Sequence, residues 1–211
     1  MPEAAPQPTG DRRSRRREQT RSRLIDAAGA VFARQGIDAT RINEITEEAD
    51  VGFGSFYNYF ESKEAIVAAV IEQAASEAGA AIDRATAELD DPAEVMAVAH
   101  RTLVLRAGTE PEFGWLLVRL DVSHDIAFAA LGPYATRDTR RGIEAGRFQV
   151  DSPEIALTAM GGALLAVMRA VLEGRAPRRA AELHAAGVLR LLGLPPAEAA
   201  EVASRPLPVG S

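Results

Sequence analysis

The chain has 211 residues, 47% of them hydrophobic and 26% charged, with a formal net charge of −6 and no cysteine. That length accommodates a small domain plus a larger one, and the missing thiol excludes disulfides, thiolate metal sites and cysteine nucleophiles together. Its three histidines are scattered, with no acid–histidine ligand spacing and no glycine-rich phosphate loop, so an enzyme, a metal site or a bound cofactor is not expected.

Residues 1 to 11 are rich in Pro, Gly and polar side chains and predict disorder. From Arg12 to Arg23, seven arginines face one acid, Glu18, a local balance of +6 that leaves −12 on the rest of the chain. A basic stretch on an acidic body is the pattern of a protein that turns one face to a polyanion. Residues 1–16 therefore read as a disordered basic arm, with Arg15, Arg16 and Arg17 as sequence-independent phosphate contacts. No apolar run follows the basic start, so no secretory leader is expected and a cytoplasmic location is the default.

A first helix is predicted from about Arg17 to Gln35, burying Leu24, Ala27, Ala28, Val31 and Phe32, with Gly36 as its stop. Thr40 is an N-cap candidate for a second helix that carries Ile42, Ile45 and Ala49 on one face and ends at Asp50. After Val51 and Gly52, a short third helix spans Phe53 to Phe60, in which Phe56 and Phe60 lie four apart and face inward together. Tyr57, Asn58 and Tyr59 face other ways. Two short helices joined by a tight turn, the second with exposed polar and aromatic residues, read as a helix-turn-helix whose recognition helix enters a major groove.

The stretch from Gly36 to Ile66 resembles the TetR/AcrR family of one-component bacterial transcriptional regulators. The family's pattern is met at Gly36, Thr40, Ile45, Ala49, Val51, Gly54, Tyr57, Phe60 and Lys63, and departs from it at Thr46, Asp50 and Gly52. Asp tolerates left-handed backbone angles and Gly is an acceptable N-cap, so the fold is not at risk. The resemblance implies a homodimeric repressor that binds a palindromic double-stranded DNA operator and is released by a small, largely apolar effector. It implies Thr40, Tyr59 and Lys63 as phosphate contacts and Ser55 and Asn58 as base readers, with Arg41, Gly54 and Tyr57 also at the groove.

A fourth helix is predicted from near Ser62 to about Leu89. Pro92, Pro111, Pro153, Pro177 and Pro195 each precede a further helical pattern, and another helix runs from about Asp125 to Gly146 with an interruption near Gly132-Pro133. The expectation is an all-α fold of about nine or ten helices, with a helix-turn-helix domain over 17–64 and a ligand-binding and dimerisation domain over 65–205. The longest apolar stretch, Ala156 to Leu172, reads as too short and too interrupted to span a membrane. Instead Gly161, Gly162 and Leu165, with Leu183, Gly187 and Leu191 on the next helix, resemble the paired helices of a TetR-like dimer interface. The ligand cavity is expected between about Asp91 and Phe148, lined by Phe113, Trp115, Phe128 and Tyr134, with Arg119, His124, Asp121 and His100 as polar groups available to point inward.

Overall fold

A computed structural model of the chain describes residues 9–118 and 123–208, which form ten α-helices and no strand. They are α1 Thr9–Gln35, α2 Ile42–Glu48, α3 Phe53–Phe56, α4 Lys63–Ala85, α5 Pro92–Thr109, α6 Pro111–Val118, α7 Ser123–Glu144, α8 Pro153–Leu172, α9 Ala180–Leu191 and α10 Pro196–Ser204. The chain divides into two units between Val70 and Ile71, inside α4 rather than at the expected boundary after residue 64.

In the first unit, α1 begins at Thr9, so the disorder expected through residue 16 is corrected for residues 9–16. Arginine is a good helix former, and the run Arg12–Arg17 extends the helix toward the N-terminus. Residues 1–8 lie outside the described residues. At its other end α1 stops at Gly36, whose φ of +80° needs a residue without a Cβ, and whose N–H donates to Phe32 at 2.9 Å. Leu24, Ala28 and Val31 on α1, Ile45 on α2, Phe56, Phe60 and Ile66 are all buried and form this unit's core.

The N-cap of α2 is Arg41, not Thr40. Thr40 is buried and its hydroxyl donates to the Gly36 carbonyl at 2.7 Å, so its one proton closes the α1–α2 corner. The start of α2 is held instead by Glu44, whose carboxylate accepts from the Arg41 N–H at 2.7 Å; that bond holds the Glu44 carboxyl below its ordinary range. Helix α2 ends in two reversed bonds, Asp50 N–H to Glu47 at 3.1 Å and Val51 N–H to Thr46 at 2.9 Å. Asp50 has φ 52°. This is a Schellman turn with aspartate where glycine usually stands. Gly52 caps α3, which closes after Phe56 into a tighter turn, with Asn58 N–H on Ser55 and Tyr59 N–H on Phe56.

The second unit is built around α5, which packs on α6, α7, α8, α9 and α10. Asp91 caps it by accepting from the Ala93 N–H at 2.9 Å, with Pro92 in the first turn. Met96, Phe148, Met160, Leu189, Leu192 and Val202 bring α5, α8, α9 and α10 into one core. Arg147 ties that core together from outside, bonding to Asp91 at 2.9 Å and to Glu198 at 2.7 Å. Helix α7 continues through Pro133, correcting the expected interruption. The expectation for Ala156–Leu172 is corrected too, since α8 is 20 residues long. By length and composition alone both α4 and α8 meet the requirement for a membrane span.

Candidate nucleic-acid interface and internal cavity

In the first unit the exposed surface of α3 is aromatic and polar. Phe56 and Phe60 are buried, as their four-residue spacing predicts, whereas Phe53 and Tyr57 are each about half exposed and Asn58 is exposed beside them. The two exposed rings meet edge to face, with centroids 5.9 Å apart. Gly54 is exposed with open space around it, and Ser55 and Tyr59 are half-buried. Arg41 is exposed at the start of α2. Lys63 Nζ, at the start of α4, donates to the Asp38 carbonyl at 3.3 Å. Thr40 is the exception among these residues. Its buried hydroxyl, committed to Gly36, is not presented to a phosphate, because the α1–α2 corner needs it.

Several arginines of α1 differ in their surroundings, besides Arg34, which pairs with Glu48 at 2.6 Å. Arg13, Arg15 and Arg16 are exposed. Arg17 Nη2 donates to the Asn58 carbonyl at 3.3 Å, Arg21 lies over the Phe60 ring at 5.1 Å, and Arg23 Nη2 bonds to the Ala49 and Asp50 carbonyls. Arg17, Arg21 and Arg23 therefore brace the helix-turn-helix. Sequence reasoning missed that bracing, and it missed Phe53, whose signal was an aromatic at the first helical position four residues before Tyr57.

The second unit holds an internal cavity of about 110 Å³. Its wall is apolar over Ile82 of α4, Met96 and Leu103 of α5, Leu131 of α7, and Met160, Leu164 and Leu165 of α8. Two aromatic walls, Phe128 and Tyr134, seat against glycines: a Cβ on Gly161 would come 2.7 Å from the Phe128 ring, and one on Gly79 2.6 Å from Tyr134. Polar groups in the wall include His100, Thr86, Thr136 and an acid–arginine cluster. Arg137 Nη2 lies 2.6 Å from Asp83 on α4, and its Nε lies 2.9 Å from Asp138. Burial pushes the Asp138 carboxyl above its ordinary range, against the pull of Arg137.

Phe128, Tyr134 and His100 thus line the cavity, whereas Phe113 and Trp115 do not. Phe113 is buried under the Arg106 guanidinium, 3.9 Å from its ring centroid, and Trp115 stands 40% exposed on α6. Both side chains belong to the packing of α6, whose rotation the sequence does not fix. Arg119, Asp121 and the side chain of His124 lie outside the described residues. Of the residues expected at a dimer interface, Gly161 receives Phe128 and Leu165 belongs to the cavity wall. The others face outward. Gly162 has no atom near its missing Cβ, Leu183 and Leu191 are exposed, and Gly187 meets only the Arg190 side chain. Ile155, 70% exposed, continues the apolar stripe on α8.

A helix-turn-helix unit on one chain with a larger helical unit is the architecture of a DNA-binding transcriptional regulator. Two family models match the chain: the tetR family of bacterial regulatory proteins over residues 24–70, and the tetracyclin repressor-like C-terminal domain over residues 91–205. The chain belongs to the TetR family, whose members are regulators and not enzymes. Part of the chain is similar to the repressor DhaR of Mycobacterium sp. (strain GP1), 39% identical over 57 residues, and to the repressor KstR2 of Rhodococcus jostii (strain RHA1), 40% identical over 47 residues. Those matches cover 27% and 22% of this chain but only 29% and 23% of the two relatives. Likeness along the whole chain is found with RolR, solved in complex with resorcinol: 39% identity, a TM-score of 0.83, and coverage of 94% of this chain and 100% of that one. The structure of RolR without ligand aligns with a TM-score of 0.81.

Proposed function

We propose that the protein is a dimeric repressor that binds a palindromic operator and is released when a small aromatic alcohol, of the resorcinol type, enters the cavity of the second unit. The observation that carries this reading is the cavity. A void of about 150 Å³ lined by apolar side chains accepts benzene in another protein, so about 110 Å³ is of the order of one aromatic ring. The acid–arginine cluster supplies donors and acceptors for a hydroxyl. Whole-chain likeness to RolR, which binds resorcinol, supports the same class of ligand.

Helix α4 gives the ligand a route to the DNA. It carries Gly79, Ile82 and Asp83 of the cavity wall and also Lys63, beside the recognition helix. On this reading Arg41, Ser55, Tyr57, Asn58 and Phe53 meet base edges, and Tyr59, Lys63 and the exposed arginines of α1 meet phosphates. A second copy covers the outward stripe of Ile155, Gly162, Leu183 and Leu191, which also accounts for the apolar length of α8 without a membrane. Selection of bound fragments from random DNA tests the reading. It expects an inverted repeat with half-sites about one helical turn apart, or a multiple of that; recovery of sequences without two-fold symmetry contradicts it.

A further inference from the structure

Two of the three histidines, 84 residues apart in sequence, meet inside the second unit. His100 of α5 and His184 of α9 are both buried, with Nδ1 of the first 2.9 Å from Nε2 of the second. Their rings are tilted by 56° with centroids 5.0 Å apart. One proton bridges the pair, so each ring commits one nitrogen to the other and keeps one outside. Among the described residues, nothing bonds to the second nitrogen of His100. That nitrogen is free to donate to or accept from a ligand group. His100 is also part of the cavity wall, and the only polar side chain that α5 gives it; its neighbours there are Met96, Ala99 and Leu103.

We propose that His100 reads a hydroxyl of the effector, and that His184 positions it by determining which of the two His100 nitrogens carries the proton. The inference rests on the aromatic-alcohol reading above and names the residue that selects within that class. The bridging proton has two placements. When His184 Nε2–H donates, His100 presents an N–H to the cavity; when His100 Nδ1–H donates, it presents a bare acceptor. A hydroxyl both donates and accepts, and so satisfies either. Burial holds both imidazoles well below their usual range, so the pair is uncharged at neutral pH and offers no cation to a carboxylate. Asp83, Arg137 and Asp138 supply polar groups from α4 and α7 in the same cavity. Polar groups on separate helices suit one ring with two hydroxyls.

The test compares resorcinol with 3-methylphenol, in which a methyl replaces one hydroxyl, by calorimetry on the full chain. The wild type prefers resorcinol, and His100→Leu lowers that preference by about tenfold while still binding 3-methylphenol. His100→Gln restores a donor and an acceptor and recovers part of the preference, which separates lost reading from a damaged core. In the wild type, resorcinol moves the ring ¹⁵N shifts of both histidines together. His184→Leu removes that joint response and lowers the preference less than His100→Leu does. If both phenols bind and His100→Leu keeps the wild-type ratio, His100 is not the reader and the effector class stands. If neither phenol binds the wild type at millimolar concentration, the effector class falls and this inference falls with it.

Discussion

Arg23 on α1 donates its guanidinium to the carbonyl oxygens of Ala49 and Asp50, the two residues that turn α2 toward α3. Those are end-of-helix carbonyls, and a cation there both bonds them and opposes the negative end of α2. Arg23→Ala is therefore expected to destabilise the first unit by about 1–2 kcal/mol. Replacing Arg13 and Arg16, both exposed, by Ala is expected to flatten the salt dependence of DNA binding, by about one unit of log–log slope per lost contact, with little change in stability. Thermal unfolding and binding titrations at several salt concentrations distinguish the two roles.

At the recognition helix, Asn58→Ala is expected to relax preference at one position of each half-site, costing about 1–3 kcal/mol against the correct base. Phe53→Ala removes a half-exposed ring that pairs edge to face with Tyr57. It is expected to weaken preference at a thymine, whose methyl an aromatic side chain recognises in the major groove, with little change in melting temperature. Sequencing of bound fragments selected by each variant reads both effects. An unchanged profile for Phe53→Ala assigns the ring to another role.

On the outer face of α8 and α9, Leu183→Glu places a charge on the exposed apolar stripe. Because Leu183 is 56% exposed, the fold of one chain loses little, while a second copy would have to bury that charge. Light scattering is expected to show a monomer of near-normal helical content with weak operator binding. Gly162→Leu is expected to act the same way, since among the described residues no atom lies within 4 Å of the Cβ it would add. A wild-type dimer in both variants places the interface elsewhere.

The buried histidine pair predicts a pH dependence of defined sign. Both imidazoles are held below their ordinary pKa of 6.5 in the fold, chiefly by burial. The unfolded chain therefore binds more protons than the folded one below about pH 6.5. The stability contributed by keeping the pair neutral is complete above that pH and is lost as pH falls further into the acid range. Unfolding of the wild type and of His100→Leu/His184→Leu across pH 7 to 4 checks this: the double variant is expected to show the shallower decline.

Much of the first unit was legible in the sequence because its signals are local. Gly36 as a helix stop, the Phe56/Phe60 pair and Asp50 in a left-handed turn depend on neighbours a few residues away. Thr40 shows the limit of such signals, since the same hydroxyl can cap the helix ahead or close the corner behind, and tertiary packing selects the second. The cavity was legible as a region and not by its members. Helices there are apolar on several sides, so composition does not distinguish the face that meets a cavity from the face that meets another helix. Trp115 was therefore misassigned, while Asp83 and Arg137, 54 residues apart, left no local trace of their pairing.

The central claim is that the cavity and the DNA-binding surface are coupled, and it is tested most directly by measuring resorcinol affinity with and without saturating operator. Linkage requires operator to weaken resorcinol by the same factor by which resorcinol weakens operator, and coupling of about 1–3 kcal/mol corresponds to a change of roughly 5- to 150-fold. Arg137→Ala, which removes the bond from α7 to Asp83 on α4, is expected to lower resorcinol affinity while leaving unliganded operator binding nearly unchanged. In the wild type the two affinities are expected to fall by one common factor. Resorcinol that binds with the same affinity whether or not operator is present would contradict it.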